Sequence, residues 1–121
     1  MEAIMAEPLI TENQLAQLLA NGARSAAGED IDPRPVVEFF TPDAGATWLI
    51  TEADPADSDR LFGLCDLGLG EPELGYVSLA EIRSVRGKLG LPVERDLYFT
   101  AQHKLSWYAM QAHRAGMIVT D

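Results

Sequence analysis

The first clear pattern of apolar and polar positions along the chain has a helical period. Leu15 and Leu18 recur at helical spacing after Thr11, so they share one face of a helix. Thr11 and Gln14 have the spacing of a capping box, in which the two side chains bond backbone N–H groups at the helix start. The pattern predicts a helix that begins at Thr11 and ends at the Asn-Gly pair at positions 21 and 22.

Five later segments are rich in β-branched and aromatic residues and predict strands. They are PVVEFFT (35–41), ATWLITE (46–52), RLFGLCDL (60–67), LGYV (74–77) and VERDLYFT (93–100). The turn residues PDAG join the first two segments into a hairpin, and the polar residues 53–59 are expected to form a loop. Connections this short allow only antiparallel pairing among the first four strands, because a parallel pair needs a long crossover.

Capping signals predict two further helices. Ser78 and Glu81 have capping-box spacing and predict a helix over residues 79–86 that stops at Gly87. Ser106 is expected to cap a last helix that ends at Gly116. The order of elements predicts an α+β fold, in which a mostly antiparallel sheet of four to five strands begins as a meander. The N-terminal, short and C-terminal helices are expected to pack on one face of this sheet.

The composition of the chain changes near residue 34. Residues 1–34 are expected to hold the first helix and a flexible linker, whose sequence is ARSAAGEDIDPRP. Residues 35–121 are expected to form a single α+β domain, since a chain of 121 residues suits one domain with its own core.

Negative charge is the most unusual property of the composition. The formal net charge is −10, and residues 29–81 carry thirteen Asp or Glu against two Arg. Such a charge disfavours binding to the phosphate backbone of duplex DNA, and it favours either a basic protein partner or solubility alone. The candidate interaction surface comprises six acids: Asp54, Asp57, Asp59, Asp66, Glu71 and Glu73.

The cysteine content and the first residues of the chain indicate the cellular compartment in which the protein is expected. Cys65 is the only cysteine, so the chain forms neither an intramolecular disulfide nor a thiolate-clustered zinc site. The first residues, MEAIMAEPLITENQ, contain acids and no long apolar run, so they predict neither a signal peptide nor a membrane span. We expect a soluble, cytoplasmic protein with no membrane partner.

The glycine-rich stretch FGLCDLGLGEPELGYV raises the question of a phosphate-binding loop. Gly70 and Gly75 have the glycine spacing of such a loop, but Tyr76 and Val77 stand where a lysine and a hydroxyl residue are needed. Nearby carboxylates would also repel phosphate. The stretch is better interpreted as two strands joined by a glycine-rich, acidic turn.

The remaining polar motifs predict no active site. Asp57 and Asp59 begin a calcium-loop pattern, but apolar residues follow where a ligand and the glycine belong. Cys65 is expected to be a buried small hydrophobe, because a reactive thiolate needs cationic neighbours. His103 and His113 match no short metal-ligand spacing. We therefore expect no catalytic residues, no cofactor and no metal.

Several segments resemble a bacterial family, the domain of unknown function 2958. The most distinctive are FFTP with TWL, FGLCDLGLGEPELGYVSL and LPVERDLYF. The resemblance covers roughly residues 35–116, and the segment before it is expected to be peripheral to the family pattern. It implies a small protein of a kind often carried on plasmids and other mobile elements. It implies no activity, substrate or catalytic residue.

Three functions are compatible with these patterns. We favour a non-enzymatic protein-binding or regulatory module of a mobile element, which acts through its acidic surface and presents negative charge as DNA does. The first alternative is a small enzyme with a site built across loops from Asp66, Glu71, Tyr76, Arg95 and His103. The second is single-stranded nucleic-acid binding by the basic and aromatic residues Arg95, Tyr98, Lys104, Trp107, Tyr108, His113 and Arg114.

Overall fold

The computed structural model describes residues 8–120, which form three helices and one five-stranded antiparallel sheet. In chain order the elements are α1 (Glu12–Ala26), β1 (Val37–Phe40), β2 (Thr47–Asp54), β3 (Asp57–Asp66), β4 (Glu73–Ser78), α2 (Leu79–Ser84), β5 (Glu94–Arg95) and α3 (Leu105–Ala115). The strands lie in the order β4-β3-β2-β1-β5, so the first four form a meander and β5 adds to the far side of β1. The predicted α+β class is confirmed.

The helices cover both faces of the sheet rather than the one face expected from the sequence. Trp48 and Ile50 belong to a core shared with α1 and α2. Leu49, which lies between them in β2, belongs to a second core with Leu64 of β3 and Tyr108 of α3. Successive side chains of a strand point to opposite faces, so α3 lies opposite α1 and α2. The central strands are apolar on both faces and therefore need cover on each side.

Helix α1 packs closely on β2 and continues past the Asn-Gly pair that was expected to end it. The side-chain amide of Asn21 donates to the carbonyl of Thr51 at 2.9 Å. A Cβ atom at position 22 would collide with the carbonyl oxygen of Ala53, so Gly22 lets helix and strand approach. The Asn-Gly pair thus lets α1 pack on β2 and does not end the helix, which continues to Ala26.

The polar residues 53–59 form a tight hairpin rather than the expected loop. Strand β2 runs to Asp54 and β3 begins at Asp57, which leaves Pro55 and Ala56 as the turn. The Asp54 carboxylate accepts the backbone N–H of Ala56 at 2.8 Å and fixes this turn. Because the tip of the hairpin is exposed, its strands carry the polar residues that are typical of a loop.

The segment after β4 is less regular than predicted. Helix α2 ends at Ser84 rather than at residue 86. Within the predicted strand 93–100 only Glu94–Arg95 pairs with β1. The strand gives way to a turn in which the carboxylate of Asp96 accepts the N–H of Tyr98 at 2.9 Å.

Helix α3 is capped by a residue distant in sequence rather than by Ser106. Its N-cap residue is Lys104, whose side chain makes no capping bond. The carboxylate of Asp32 instead accepts the backbone N–H of Ser106 at 3.0 Å and also its hydroxyl. The carbonyl of Pro33 accepts the N–H of Leu105 at 3.0 Å. Two residues of the expected linker therefore hold the start of α3.

Candidate functional site

The acids of the candidate interaction surface differ in accessibility. Asp57 is exposed at the tip of the β2–β3 hairpin, and Asp54 lies 3.9 Å from the guanidinium of Arg60 beside it. Asp59 is partly buried and accepts the hydroxyl of Ser78 at 2.6 Å. At this end of the sheet Asp57 is thus the most accessible of the three acids.

Asp66 is a structural anchor at the end of β3. It is 3% exposed, and its two carboxylate oxygens accept the N–H groups of Gly68 at 2.8 Å and of Ile118 at 2.9 Å. The carboxylate therefore ties the segment after α3 to the sheet and is not accessible to a partner.

The remaining two acids, Glu71 and Glu73, are exposed at the start of an outer strand of the sheet. Strand β4 (Glu73–Ser78) pairs with β3 through all six residues without a bulge. Within residues 8–120 no strand pairs with its other side. Leu74 and Tyr76 are 50% and 60% exposed on one face of the strand. We call this outer side of β4, together with Glu71, the β4 edge.

Further apolar side chains are exposed next to the β4 edge. Leu67 and Leu69 lie in the β3–β4 connection, and Met117 follows α3. The end of α3 lies beside this connection, since a Cβ atom at Gly116 would stand 3.7 Å from the carbonyl oxygen of Gly70. Exposed apolar side chains that lie together are typical of interaction surfaces.

The residues of the hypothetical enzyme site do not converge. Tyr76 lies on β4 and Arg95 on β5, at opposite edges of the sheet. Asp66 is committed to its backbone contacts.

Burial, followed by the nearby charge of Glu73, raises the pKa of Cys65 to about 11. A thiol with so high a pKa stays protonated near neutral pH and is a poor nucleophile.

The aromatic residues of α3 are largely used within the fold. Tyr108 is 1% exposed, and its hydroxyl accepts the N–H of Gln102 at 3.0 Å. Trp107 is partly buried and stacks on His103 with ring centroids 3.6 Å apart. These rings seat α3 on the sheet, whereas Tyr98 and the imidazole of His113 are exposed.

Sequence reasoning missed Glu38, a buried acid on β1. The residue is 8% exposed, and its Oε1 atom accepts no hydrogen bond from residues 8–120. Burial, and to a smaller extent the charge of Asp96, raise the pKa of Glu38 to about 7. The sequence carried one signal, an acid inside the apolar run VVEFF. A perturbed, unpartnered carboxyl group of this kind marks a candidate functional site.

A cavity of about 480 Å³ opens along the segment that contains β5. Its walls are formed by one side chain of β1 and by the segment that contains β5: Phe40, Pro92, Val93, Glu94, Arg95, Asp96, Leu97 and Tyr98. The wall is thus mostly apolar, with two carboxylates and one guanidinium, a composition that is typical of ligand sites.

Two further kinds of feature are absent from the described residues. Residues 8–120 contain no group of three or more His, Cys, Asp or Glu side chains arranged to hold a metal ion. No helix in this part of the chain is long and apolar enough to cross a membrane. The expectation that the start of the chain holds no signal peptide falls partly on residues 1–7, outside the described part.

Comparison with known proteins identifies a family. No curated protein and no solved structure matches the chain. A family model described as protein of unknown function (DUF2958) matches residues 9–119. The match includes α1, so it extends further towards the N-terminus than the resemblance over residues 35–116 implied. The chain therefore belongs to the family of proteins of unknown function DUF2958.

Proposed function

We propose that the protein is a non-enzymatic binding or regulatory module that docks a basic protein partner on the β4 edge. The observation that carries this proposal is a regular, six-residue outer strand whose apolar side chains remain exposed next to two acids. An outer strand offers unpaired backbone N–H and C=O groups to an added strand.

Apart from the exposed charge of Glu73, β4 lacks the sequence features that usually protect an outer strand. Proteins block such a strand with charged side chains, especially lysine, with proline, with a bulge or with a covering element. The sequence of β4, ELGYVS, contains neither lysine nor proline, and its pairing with β3 has no register shift. Within residues 8–120 no strand pairs with the outer side of β4. The backbone groups on that side therefore have no ladder partner.

Charge determines which partner suits this surface. Glu71 and Glu73 are exposed at the start of β4, and the whole chain carries a formal charge of −10. Pairing of β4 with a second copy would bring two strongly negative chains together, at a cost in electrostatic repulsion. An extended basic segment gains attraction instead. The proposed partner is thus a basic protein rather than a second copy.

The setting of this function follows from the family resemblance. We propose that the module belongs to a bacterial mobile element and acts in the cytoplasm. A specific form of regulation is competition with nucleic acid, in which the acidic surface occupies the basic surface of a nucleic-acid-binding protein.

An amide-resolved NMR titration with a peptide of alternating lysine and valine tests the proposal. We expect shifts concentrated on Glu73–Ser78 and weaker binding at higher salt, since exposed charges are screened. The variant E71K/E73K should bind about tenfold more weakly, a loss of about 1.4 kcal/mol.

The matched control is E12K/D30K, which changes the net charge equally at two exposed acids outside β4. This control should retain most of the affinity. Equal weakening by both double variants, or shifts spread over all acidic segments, would contradict docking at β4.

A further inference from the structure

We propose that the β4 edge selects an extended partner segment in which basic and apolar residues alternate along the chain. We call the side of the sheet covered by α1 and α2 the α2 face, and the opposite side the α3 face. The basic side chains of the bound segment lie on the α2 face beside Glu73, and its apolar side chains lie on the α3 face beside Leu74 and Tyr76. This inference rests on the proposed docking of a basic partner at β4 and adds the sequence pattern that the partner carries.

Two side chains of β4 lie on the α3 face. Leu74 stands opposite Leu64 of β3, and Tyr76 stands opposite Phe62. Leu64 and Phe62 belong to the core beneath α3. Directly opposed residues of an antiparallel pair share one face of the sheet, so Leu74 and Tyr76 share this face. The ring of Tyr76 accordingly contacts that of Phe62, with ring centroids 5.0 Å apart.

The alternate residues of β4 lie on the α2 face. Glu73 stands opposite Cys65 and Val77 opposite Leu61, and both partners belong to the core shared with α1 and α2. The charge of Glu73 contributes to the raised pKa of Cys65, as expected for neighbours on one face. Gly75, between Glu73 and Val77, faces the same side.

The α3 face of β4 favours apolar side chains of a partner. Leu74 and Tyr76 are exposed there, so a partner's valine or leucine would bury apolar surface against them. The guanidinium carbon of Arg60 lies 4.0 Å from the ring centroid of Tyr76, and this cation already uses the attraction of the ring. A partner's lysine on this face would therefore approach the charge of Arg60 and leave apolar surface uncovered.

The α2 face of β4 favours basic side chains. Glu73 is exposed there, whereas Val77 is partly buried and offers less apolar surface. A Cβ atom at Gly75 would meet no atom of residues 8–120 within 4 Å beyond its chain neighbours, which leaves room for a long side chain. Helix α2 follows β4 directly and adds the exposed Glu81 in its first turn and the exposed Arg83 in its last. The acid nearer to β4 is thus Glu81.

The pattern of the partner follows from these two faces. Successive side chains of an added strand point to opposite faces, where each meets the β4 residues of the same face. A segment with alternating basic and apolar residues places every lysine on the α2 face and every apolar residue on the α3 face. A segment of the same composition in another order cannot do so.

Two eight-residue peptides of equal composition and charge test this pattern by amide-resolved NMR titration. One alternates lysine and valine, and the other repeats Lys-Lys-Val-Val, which puts lysine and valine on both faces. We expect the alternating peptide to bind about tenfold more tightly and to shift the amides of Glu73–Ser78. In the complex, its valine methyl groups should give nuclear Overhauser contacts to Leu74 and Tyr76. Contacts to Val77 instead would contradict the assignment of the faces.

Variants of the α3 face give a second measurement. Tyr76→Thr keeps a β-branched residue in the strand and removes the exposed ring, so it should abolish most of the preference for the alternating peptide. Leu89→Thr, which replaces an exposed leucine outside β4, is the matched control and should retain the preference. If Tyr76→Thr does not fold, Leu74→Thr serves in its place with the same expected result.

The outcomes separate this inference from the proposed function. Equal affinity of the two peptides, with shifts still on Glu73–Ser78, would overturn the two-faced pattern and leave docking at β4 intact. No shift on β4 with either peptide would overturn both. Shifts on β4 that grow with protein concentration in the absence of peptide would assign the edge to a second copy and also overturn both.

Discussion

The carboxylate of Asp59 and the hydroxyl of Ser78 join the start of β3 to the N-terminus of α2. Ser78 donates to one Asp59 oxygen at 2.6 Å, and the N–H of Ala80 donates to the other at 2.8 Å. Ser78 Oγ in turn accepts the N–H of Glu81 at 3.2 Å. The hydrogen bond from Ser78, followed by that from Ala80, lowers the pKa of Asp59. The cap of α2 is therefore shared between a local serine and an acid nineteen positions earlier.

Replacing Ser78 with alanine should destabilise the fold. The change removes the acceptor for Glu81 and the donor to Asp59, and loss of a serine cap costs about 1 kcal/mol. The free energy of unfolding, measured by urea denaturation, should fall by that amount. Ser84→Ala is the matched control, since this serine lies exposed at the other end of α2. Equal losses from the two variants would argue against the cap.

Replacing Asp66 with alanine should release the segment after α3. The buried N–H of Ile118 then loses its acceptor, and leaving a buried donor without a partner costs about 1–3 kcal/mol. We expect this loss in urea denaturation, together with faster hydrogen exchange at Ile118. The control Asp57→Ala, at an exposed position, should change stability by less than about 0.5 kcal/mol. Unchanged exchange at Ile118 would contradict the anchoring role.

The carboxyl group of Glu38 should make stability depend on pH. Its pKa is raised from 4.5 to about 7, so the folded chain holds this proton more strongly than the unfolded chain does. The contribution of Glu38 to the free energy of unfolding should therefore be fully present below about pH 4.5 and fall as the pH rises towards 7, by up to about 3 kcal/mol.

Glu38→Gln removes this titration and should flatten the profile over the same pH range. Urea denaturation at several pH values between 4.5 and 8 measures the two slopes. Glu12→Gln, an exposed position on α1, should keep the wild-type slope. A glutamine variant that retained the full slope would assign the pH dependence to another group.

Gly22→Ala tests the close approach of α1 to β2. In an ordinary helix this substitution stabilises by about 1 kcal/mol, because alanine is the better helix former. Here the added methyl group would collide with the carbonyl oxygen of Ala53, and overpacking costs about 1–3 kcal/mol. A lower melting temperature is expected, and a rise would contradict the close contact.

The elements that the sequence predicted well depend on residues close together in the chain. The capping box of Thr11 and Gln14 is formed, with both bonds present at 3.0 and 3.1 Å. Ser78 caps α2 as its spacing indicated. The glycine-rich stretch is a hairpin connection, in which Gly68 and Gly70 adopt φ angles of 80° and 86° that favour glycine. Such contacts are encoded over three or four positions.

Contacts between residues far apart in the sequence could not be predicted from local residue spacing. The carboxylate of Asp43, in the PDAG turn, accepts the N–H groups of Leu89 at 2.6 Å and Leu91 at 3.3 Å, more than forty positions later in the chain. The burial of Glu38 likewise depends on packing contributed from outside β1. No spacing rule relates these residues, because the tertiary fold brings them together.

The order of the strands also has a consequence for folding. Four strands follow one another as a meander, whereas β5 joins β1 across more than fifty intervening residues. Contacts between residues far apart in the chain form more slowly, because closing the long loop costs entropy before any contact is gained. We expect the meander to form first and β5 to dock late. The cavity along the segment of β5 would then exist only in the completely folded chain and be the first feature lost when the sheet opens from that side.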